Sequence, residues 1–196
     1  MKKQKLYSEI KEIRTRQKRM REKGYADRRV RGEGAISAVS FGLFLVLVGV
    51  IVVINQNLWS NVRDFFNDFT TANVTNTQIS LPVPATPAAH TAVYSATFQF
   101  ALGIGILEIL ILAMRFTVGS RIRRKAQTVG SAVFWFGAVY LLNNLADMKI
   151  TLAINQQRQM WFQFWAAIII LFGVSLVARA VFILVAKQMK PKQRST

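Results

Sequence analysis

The run from Ala35 to Ile54, twenty consecutive residues without a charge, most constrains how this chain can fold. The hydrocarbon core of a bilayer is about 30 Å thick, and an α-helix needs about 20 apolar residues to cross it. The run is longer than the apolar part of a cleavable signal peptide, which has about 7–15 residues. It therefore predicts a membrane-spanning helix that the protein retains.

Three further apolar runs follow, at about residues 94–116, 128–147 and 161–186. Hydrophobic residues make up 52% of the chain, a composition that favours a membrane protein over a soluble globule. The third run is uniformly apolar only to Leu142, so it has to continue through polar residues in order to cross. We expect an all-α fold, a polytopic integral membrane protein built as a four-transmembrane-helix bundle.

The distribution of lysine and arginine predicts how the spans are oriented. Thirteen of these residues lie in 1–33, five in 115–125 and four in 187–196, which together are 22 of the 26 in the chain. By the positive-inside rule, these segments are cytoplasmic and the loop 55–93 is external. The expected organisation is a basic cytoplasmic helix or tail (1–33), a membrane domain (34–187) and a basic cytoplasmic tail (188–196). We expect the membrane to be the plasma membrane.

The N-terminal basic segment carries only a weak helical stripe of apolar residues, and Gly24, Gly32 and Gly34 predict a break before the first span. The simplest interpretation is a solvated anchor that fixes the orientation of the protein. Three functional alternatives remain open for residues 1–31. They are binding to anionic lipid headgroups, to ribosomal or other RNA, or to an acidic partner subunit.

The external loop begins with an amphipathic pattern at about residues 57–69, which predicts a short helix lying at the membrane surface. Aromatic residues at predicted interfaces are expected to act as anchors at headgroup level. These are Trp59, Phe65, Phe66, Phe69 and Trp161. The same helix could instead cover the end of the bundle or bind a partner.

The rest of the loop, residues 70–90, is rich in Thr and Asn and then in Pro and Ala, which predicts an extended linker. Asn73 begins an Asn-Val-Thr sequence, the acceptor pattern for N-glycosylation. This modification requires a host with the machinery and an external position of the loop. Asn73 is therefore a possible glycosylation site.

Two charges lie inside the apolar runs. Glu108 precedes Arg115 by seven residues, and Arg179 precedes Lys187 by eight, which places both charges roughly 10–12 Å from the same membrane boundary. Matched depth on two spans of the same direction predicts an intramembrane ion pair, which offsets the unfavourable insertion of each charge. The alternatives are a proton or cation relay through Glu108, snorkelling of Arg179 to the headgroups, and contact with another subunit.

A polar cluster is expected at the outer end of the third span. Tyr140, Asn144 and Asp147 fall on one helical face, with Asn143 beside them. They could line a hydrated pocket, meet polar groups of a partner or offer oxygen ligands to a cation. A helix end that emerges into water explains the same pattern.

Catalysis and cofactor binding are not supported by the residue content. The chain has no cysteine and a single histidine, which excludes thiolate metal sites and argues against haem or zinc. No catalytic set or nucleotide-binding motif is present, so we expect neither enzyme activity nor a cofactor or metal.

The function predicted from sequence is that of a non-enzymatic structural or accessory subunit in the membrane. Its expected partners are the lipid bilayer, including anionic headgroups, and other membrane subunits or further copies of itself. One alternative is a small transporter or channel subunit that uses Glu108 and the outer polar cluster. The other is a membrane anchor whose basic N-terminus binds anionic lipid or RNA, although nucleic acid is the weaker expectation.

Overall fold

A computed structural model of the 196-residue chain describes residues 2–74 and 77–188, and the side chains of residues 11–21, 24, 32–74 and 77–188. The tail at 189–196 and Thr75 of the glycosylation pattern lie outside the described residues. The described residues form five α-helices, one β-hairpin and a short 3-10 helix, Pro87–His90. The helices and strands are α1 (Lys2–Ile54), α2 (Leu58–Asn67), β1 (Phe69–Asn73), β2 (Ser80–Pro84), α3 (Thr91–Thr117), α4 (Ile122–Ala146) and α5 (Ile154–Gln188).

In the part of the chain that the structure describes, four helical segments are long and apolar enough to cross a membrane, at Gly32–Ile54, Pro87–Thr117, Ile122–Ala146 and Ile154–Gln188. The expectation of a mostly helical chain with four such segments is confirmed. We call the end of these segments near residues 32, 117, 122 and 188 the basic end. The opposite end, which carries α2 and the hairpin, is the hairpin end.

Helix α1 runs without interruption from Lys2 to Ile54. The break that the glycines predicted before the first span is therefore absent from this helix. A glycine inside a helix costs only about 1 kcal/mol relative to alanine, which a long helix tolerates. Gly32 also has a packing role, because a Cβ there would lie 2.5 Å from Cγ1 of Val118 in the α3–α4 turn. Its missing side chain lets α1 approach that turn closely.

The four long helices pack in the order α1, α3, α4, α5. Helix α4 lies between α3 and α5 and packs against both, whereas α1 packs mainly on α3. Within the expected bundle, α3 and α4 are therefore the central helices, and α1 and α5 pack mainly on one neighbour each. Many large apolar side chains of α1 and α5 remain exposed, as a lipid-facing surface requires.

The segment predicted to be an extended linker is instead folded. Strands β1 and β2 pair antiparallel, with Phe69 opposite Pro84 and Asn73 opposite Ser80. Proline cannot donate a hydrogen bond to a strand ladder, but a two-stranded hairpin has only edge strands, where proline is tolerated. Val83, Pro84 and Pro87 are fully buried. Burial of these apolar side chains therefore stabilises the segment, although its composition is typical of a loop.

The main core of the described chain lies at the hairpin end. It is formed by side chains from α2, β2, the 3-10 helix, α3, the end of α4 with the residues after it, and α5. The buried members are Phe65, Val83, Ala88, Tyr94, Leu145, Met148 and Trp161. Residues 58–74 and 77–90 form a compact unit on the ends of α3, α4 and α5, and we call this unit, with the core beneath it, the cap.

Candidate functional site

A polar cavity of about 390 Å³ lies among the four long helices toward their basic end. Eleven of its thirteen lining residues are polar or charged, although most of them belong to helices apolar enough to span a membrane. The lining residues are Glu33, Ile36, Ser37, Ser40, Glu108, Ile111, Arg115, Ser120, Arg124, Gln127, Thr128, Ser131 and Arg179. We refer to this space as the basic-end cavity.

Glu33 contributes a carboxylate from α1. Its Oε2 lies 2.7 Å from Nη1 of Arg124 on α4, and its side chain is only 14% exposed. Its second oxygen, Oε1, is buried and has no hydrogen-bond partner within the described part of the chain. The ion pair joins α1 to α4 across the cavity wall and leaves one strong acceptor unused.

Arg115 joins the end of α3 to the first turns of α4. Its Nη1 donates a hydrogen bond of 2.6 Å to the backbone carbonyl of Arg124 and a second one to Oγ1 of Thr128. Ser120, in the turn between the two helices, is 5% exposed, and its hydroxyl has no partner among the described residues. This corner of the cavity therefore combines an anchored guanidinium with a free hydroxyl.

Glu108, the acid inside the second apolar run, is partnered by a hydroxyl. Ser131 of α4 donates a hydrogen bond of 2.6 Å to Oε1 of Glu108 on α3. The contact places the carboxylate at the boundary between these two helices and on the cavity lining. Sequence reasoning missed Ser131, because serine is common in membrane helices and the side of α4 that faces α3 was not known.

Arg179 reaches the same cavity from α5. A Cβ at Gly130 would lie 2.9 Å from the carbonyl oxygen of Ser175 and 3.4 Å from Nε of Arg179, so the glycine allows α5 to approach α4 this closely. The Nε atom is buried and has no partner among the described residues. The absence of a side chain at Gly130 thus leaves room for the Arg179 side chain between α4 and α5.

The structure brings Glu108 and Arg179 to one cavity but does not pair them. No nitrogen–oxygen distance within 4.0 Å joins the two side chains in the described part of the chain. The two side chains do not pair because α4 packs between α3 and α5. The hydrogen bond to Glu108 comes instead from the Ser131 hydroxyl of α4. The matched depth of the two charges agrees with their place on one cavity. Depth alone does not show which helices are neighbours.

The polar cluster expected at the outer end of the third span lies at the hairpin end, away from the basic-end cavity. Asn143 donates a hydrogen bond of 2.9 Å to Oδ2 of Asp147, and Tyr140 is 70% exposed. Asn144 lines a separate cavity of about 190 Å³, which shares no lining residue with the basic-end cavity. The two polar sites are therefore not continuous within one chain.

The five predicted aromatic anchors divide into two groups. Trp59 is 73% exposed, Phe66 is 66% exposed and Phe69 is 37% exposed, as a membrane-surface position requires. Phe65 and Trp161 are instead buried core residues of the cap, at 9% and 5% exposure. The hairpin and the 3-10 helix fold over these two side chains, which amphipathic spacing alone cannot reveal.

A hydrogen-bonded group in the cap was not predicted. Oδ2 of Asp68 lies 2.9 Å from Nε2 of His90, and it also accepts hydrogen bonds of 2.9 Å from the backbone N–H and hydroxyl of Thr86. Burial opposes ionisation of Asp68, but the hydrogen bonds from Thr86 and His90 outweigh it and hold the pKa of this carboxyl below its ordinary value. Thr86 and His90 lie 18 and 22 positions after Asp68 in chain order, so no local sequence pattern connects them to the aspartate.

Asn73, the predicted glycosylation position, is exposed at the end of β1. Its Oδ1 accepts a hydrogen bond of 2.5 Å from the hydroxyl of Ser80 across the hairpin. An attached glycan would project from the cap.

Within the described residues, no group of three or more His, Asp or Glu side chains is placed to hold a metal ion. No protein-family model matches the chain, and neither does any curated protein or solved structure. The basic-end cavity, with charges of both signs and unused hydrogen-bonding atoms, is the described site best equipped to bind a ligand.

Proposed function

We propose that the protein is a non-enzymatic integral membrane protein, with both termini cytoplasmic, that acts as a structural or accessory subunit and assembles with another membrane component. The observation that carries this proposal is the continuity of α1 from Lys2 to Ile54. Its last 23 residues form an apolar spanning segment, and the preceding residues extend the same helix by roughly 45 Å at about 1.5 Å per residue.

The described side chains of the α1 extension, residues 11–21 and 24, make few contacts that would stabilise the helix. Side chains 11–21 are all exposed, and α1 packs mainly on α3 through its spanning segment. Among residues 11–21, one exposed ion pair, Arg16 with Glu12 at 3.1 Å, adds only about 0.3–0.5 kcal/mol. A helix that is polar on all sides gains most of its stability from contacts with other surfaces. A partner that packs along this helix would supply those contacts.

The charge of the extension indicates the chemistry of that partner. Residues 1–33 contain thirteen Lys and Arg against five acids, so an acidic surface is the complementary one. We assign this surface to another membrane subunit, because the spanning segment of α1 holds the extension close to the bilayer. Anionic lipid and RNA carry the same sign of charge and are distinguished by the experiment.

The experiment is extraction of the full chain from its own membrane in mild detergent, followed by measurement of the native mass of the complex. The test variant replaces six basic residues of the extension by glutamine, and the control replaces Arg121 and Arg123, which are exposed elsewhere. The six residues are Lys11, Arg14, Arg16, Lys18, Arg19 and Arg21. We expect a protein partner that is lost at high salt and lost in the test variant but retained in the control.

A wild-type chain that is extracted as a monomer without a protein partner would contradict the subunit proposal. Association that disappears on nuclease treatment would replace it with RNA binding. Detergents that strip anionic lipid could lower the native mass without the loss of any protein. That result would assign the extension to the membrane surface instead.

A second candidate function, a transporter or channel subunit, is favoured by the charged basic-end cavity around Glu108. In this case oligomerisation would have to build the rest of the path, because the polar cluster at the hairpin end belongs to a separate cavity. Ion flux in proteoliposomes tests it. Flux that Glu108→Gln leaves unchanged would count against a path through this carboxylate.

A further inference from the structure

We infer that the basic-end cavity binds a zwitterionic group in which a phosphate carries a nearby primary ammonium. This chemistry is shared by the headgroup of an ethanolamine phospholipid and by soluble phosphoethanolamine. The inference concerns a ligand of the cavity and does not depend on the partner proposed for α1.

The lining of the cavity calls for a ligand with charges of both signs. Three arginines and two glutamates face the same space. A simple anion would meet the two carboxylates, and a simple cation would meet the three guanidinium groups. A zwitterion can engage both kinds of charge at once, which a water-excluding membrane environment strengthens.

Three residues of the lining carry unused hydrogen-bonding atoms that match the two halves of such a ligand. Nε of Arg179 and the hydroxyl of Ser120 are buried donors without a partner within the described residues, and Oε1 of Glu33 is a buried acceptor without one. Buried polar atoms in proteins are nearly always hydrogen-bonded. The two donors suit phosphate oxygens, and the free carboxylate oxygen suits an ammonium group.

Arginine is the side chain best suited to the phosphate half, because its planar group donates paired hydrogen bonds to phosphate oxygens. Gly130 permits Arg179 to reach the cavity from α5, where the carbonyl oxygen of Ser175 leaves no room for a Cβ. Arg115 is already held by the Arg124 carbonyl and by Thr128, so its charge is fixed in the wall. A phosphate would therefore meet preorganised positive charge.

The size and position of the cavity suit a headgroup. Its volume of about 390 Å³ lies within the range of about 300–1,000 Å³ that is usual for ligand sites. Glu33, Arg115 and Ser120 lie at or next to the basic-end limits of the spanning segments. Phospholipid headgroups reside at this level of a bilayer, so the headgroup of a lipid in that leaflet would lie beside these three residues.

The test is retention of lipid by the purified full chain, measured by native mass spectrometry. Three phospholipids with identical acyl chains are compared, carrying ethanolamine, choline or glycerol headgroups. Choline retains the positive charge but cannot donate hydrogen bonds, and glycerol lacks the positive charge. We expect one ethanolamine lipid per chain, retained about tenfold more tightly than either of the others, as the loss of a charge-assisted hydrogen bond predicts.

Variants locate the binding to the cavity. Arg179→Gln and Glu33→Gln should each weaken retention of the ethanolamine lipid by about tenfold, and Ser120→Ala, a smaller change, by a few fold. Arg123→Gln, an exposed arginine that does not line the cavity, is the matched control and should leave retention unchanged. Helical content and melting temperature of each variant show whether the fold is intact, and Ser120→Ala keeps the test valid if a charge variant fails to fold.

Soluble phosphoethanolamine, added as a competitor and in thermal-shift measurements, identifies the source of the ligand. If lipid is retained and phosphoethanolamine does not displace it, the site binds a phospholipid. If phosphoethanolamine stabilises the protein and no lipid is retained, the site binds a soluble ligand. Equal retention of ethanolamine and glycerol lipids would overturn the role of the ammonium group. No selective retention and no thermal shift would show a water-filled cavity and overturn the inference.

Discussion

Ser131 on α4 donates a hydrogen bond of 2.6 Å to the carboxylate of Glu108 on α3. The acid inside the second spanning segment is thus held by a hydroxyl of the adjacent helix. Arg179 lines the same cavity from α5 and forms no ion pair with the acid among the described residues.

This arrangement predicts that Glu108 is energetically coupled to Ser131 and not to Arg179. Ser131→Ala should destabilise the protein by about 0.6–1.7 kcal/mol, the range measured for hydrogen bonds between membrane helices. In double-mutant cycles, Glu108→Gln should show coupling with Ser131→Ala but near-additivity with Arg179→Gln. The measurement is the free energy of unfolding in mixed detergent micelles.

Ser40→Ala is the matched control for this cycle, because Ser40 also lines the cavity but donates its hydrogen bond to the carbonyl of Ile36 in its own helix. Its substitution should leave the contact between α3 and α4 intact. Strong coupling between Glu108 and Arg179 would favour the direct ion pair that the sequence alone suggests.

A second prediction concerns the close approach of α4 and α5 at Gly130. Gly130→Ala would place its Cβ 2.9 Å from the carbonyl oxygen of Ser175, and a backbone atom cannot move aside easily. We expect destabilisation of about 1–3 kcal/mol, as for other overpacked sites. The melting temperature in detergent measures this effect.

Gly173, on α5, provides the control for this substitution. A Cβ at Gly173 would meet nothing within 4 Å, so Gly173→Ala should be neutral or slightly stabilising through its better helix propensity. Equal effects of the two alanine substitutions would argue against the tight crossing at Gly130.

The parts of this molecule that the sequence predicts well are those set by local composition. Twenty uncharged residues from Ala35 to Ile54 are sufficient to indicate a span, because bilayer thickness and helix rise fix the required length. The cap was missed because Val83, Pro84 and Pro87 lie in a segment whose prolines are typical of loops. Their burial depends on contacts with α5, far away in chain order.

The basic-end cavity was only half predictable for a similar reason. Glu108 and Arg179 are conspicuous because a charge in an apolar run is rare and usually functional. Glu33 is inconspicuous among the charges of the N-terminal segment, and Ser120 and Ser131 are ordinary residues in a membrane protein. Their importance follows from the order in which the helices pack, which hydropathy and depth do not determine.

A third prediction concerns the acid sensitivity of the cap. The folded-state pKa of Asp68 lies below its ordinary value, so its stabilising effect is fully present above about pH 4 and is lost as pH falls through the folded-state pKa. Asp68→Asn should destabilise the cap by about 1.5–3 kcal/mol at neutral pH, the usual size for a hydrogen bond to a charged group. The difference from wild type should shrink in acid, as measured by melting between pH 3 and 7.

The control is Asp64→Asn. Asp64 is an exposed carboxylate on α2 without a side-chain hydrogen bond among the described residues. Its substitution should not change the acid limb of the plot of melting temperature against pH. If the two variants gave the same pH profile, the hydrogen bonds from Thr86 and His90 would not be stabilising the ionised form of Asp68.

A fourth prediction separates core from surface among the aromatic residues of α2. The ring centroid of Phe65 lies 5.9 Å from that of Trp161 and 5.3 Å from that of His90, and the side chain is 9% exposed. Phe65→Ala should therefore destabilise the cap by about 3–5 kcal/mol. Limited proteolysis of the loop between α1 and α3 reports the opening of the cap.

Phe66→Ala is the natural comparison, since Phe66 is adjacent in sequence but 66% exposed. It should leave the protease resistance of the cap nearly unchanged and weaken association with the membrane surface instead. A larger loss of resistance in Phe66→Ala than in Phe65→Ala would contradict the placement of the core.

The central claim is that the protein spans the membrane four times with its basic end on the cytoplasmic side, since both the partner of α1 and the ligand of the cavity depend on it. The chain has no cysteine, so single cysteines can be labelled without background. Labelling of Thr15→Cys on α1 and Ser60→Cys on α2 with a membrane-impermeant maleimide tests the claim directly. The prediction is that intact cells label only Ser60→Cys and that Thr15→Cys reacts only after permeabilisation. Labelling of Thr15→Cys in intact cells, or of both positions from the same side, would contradict it.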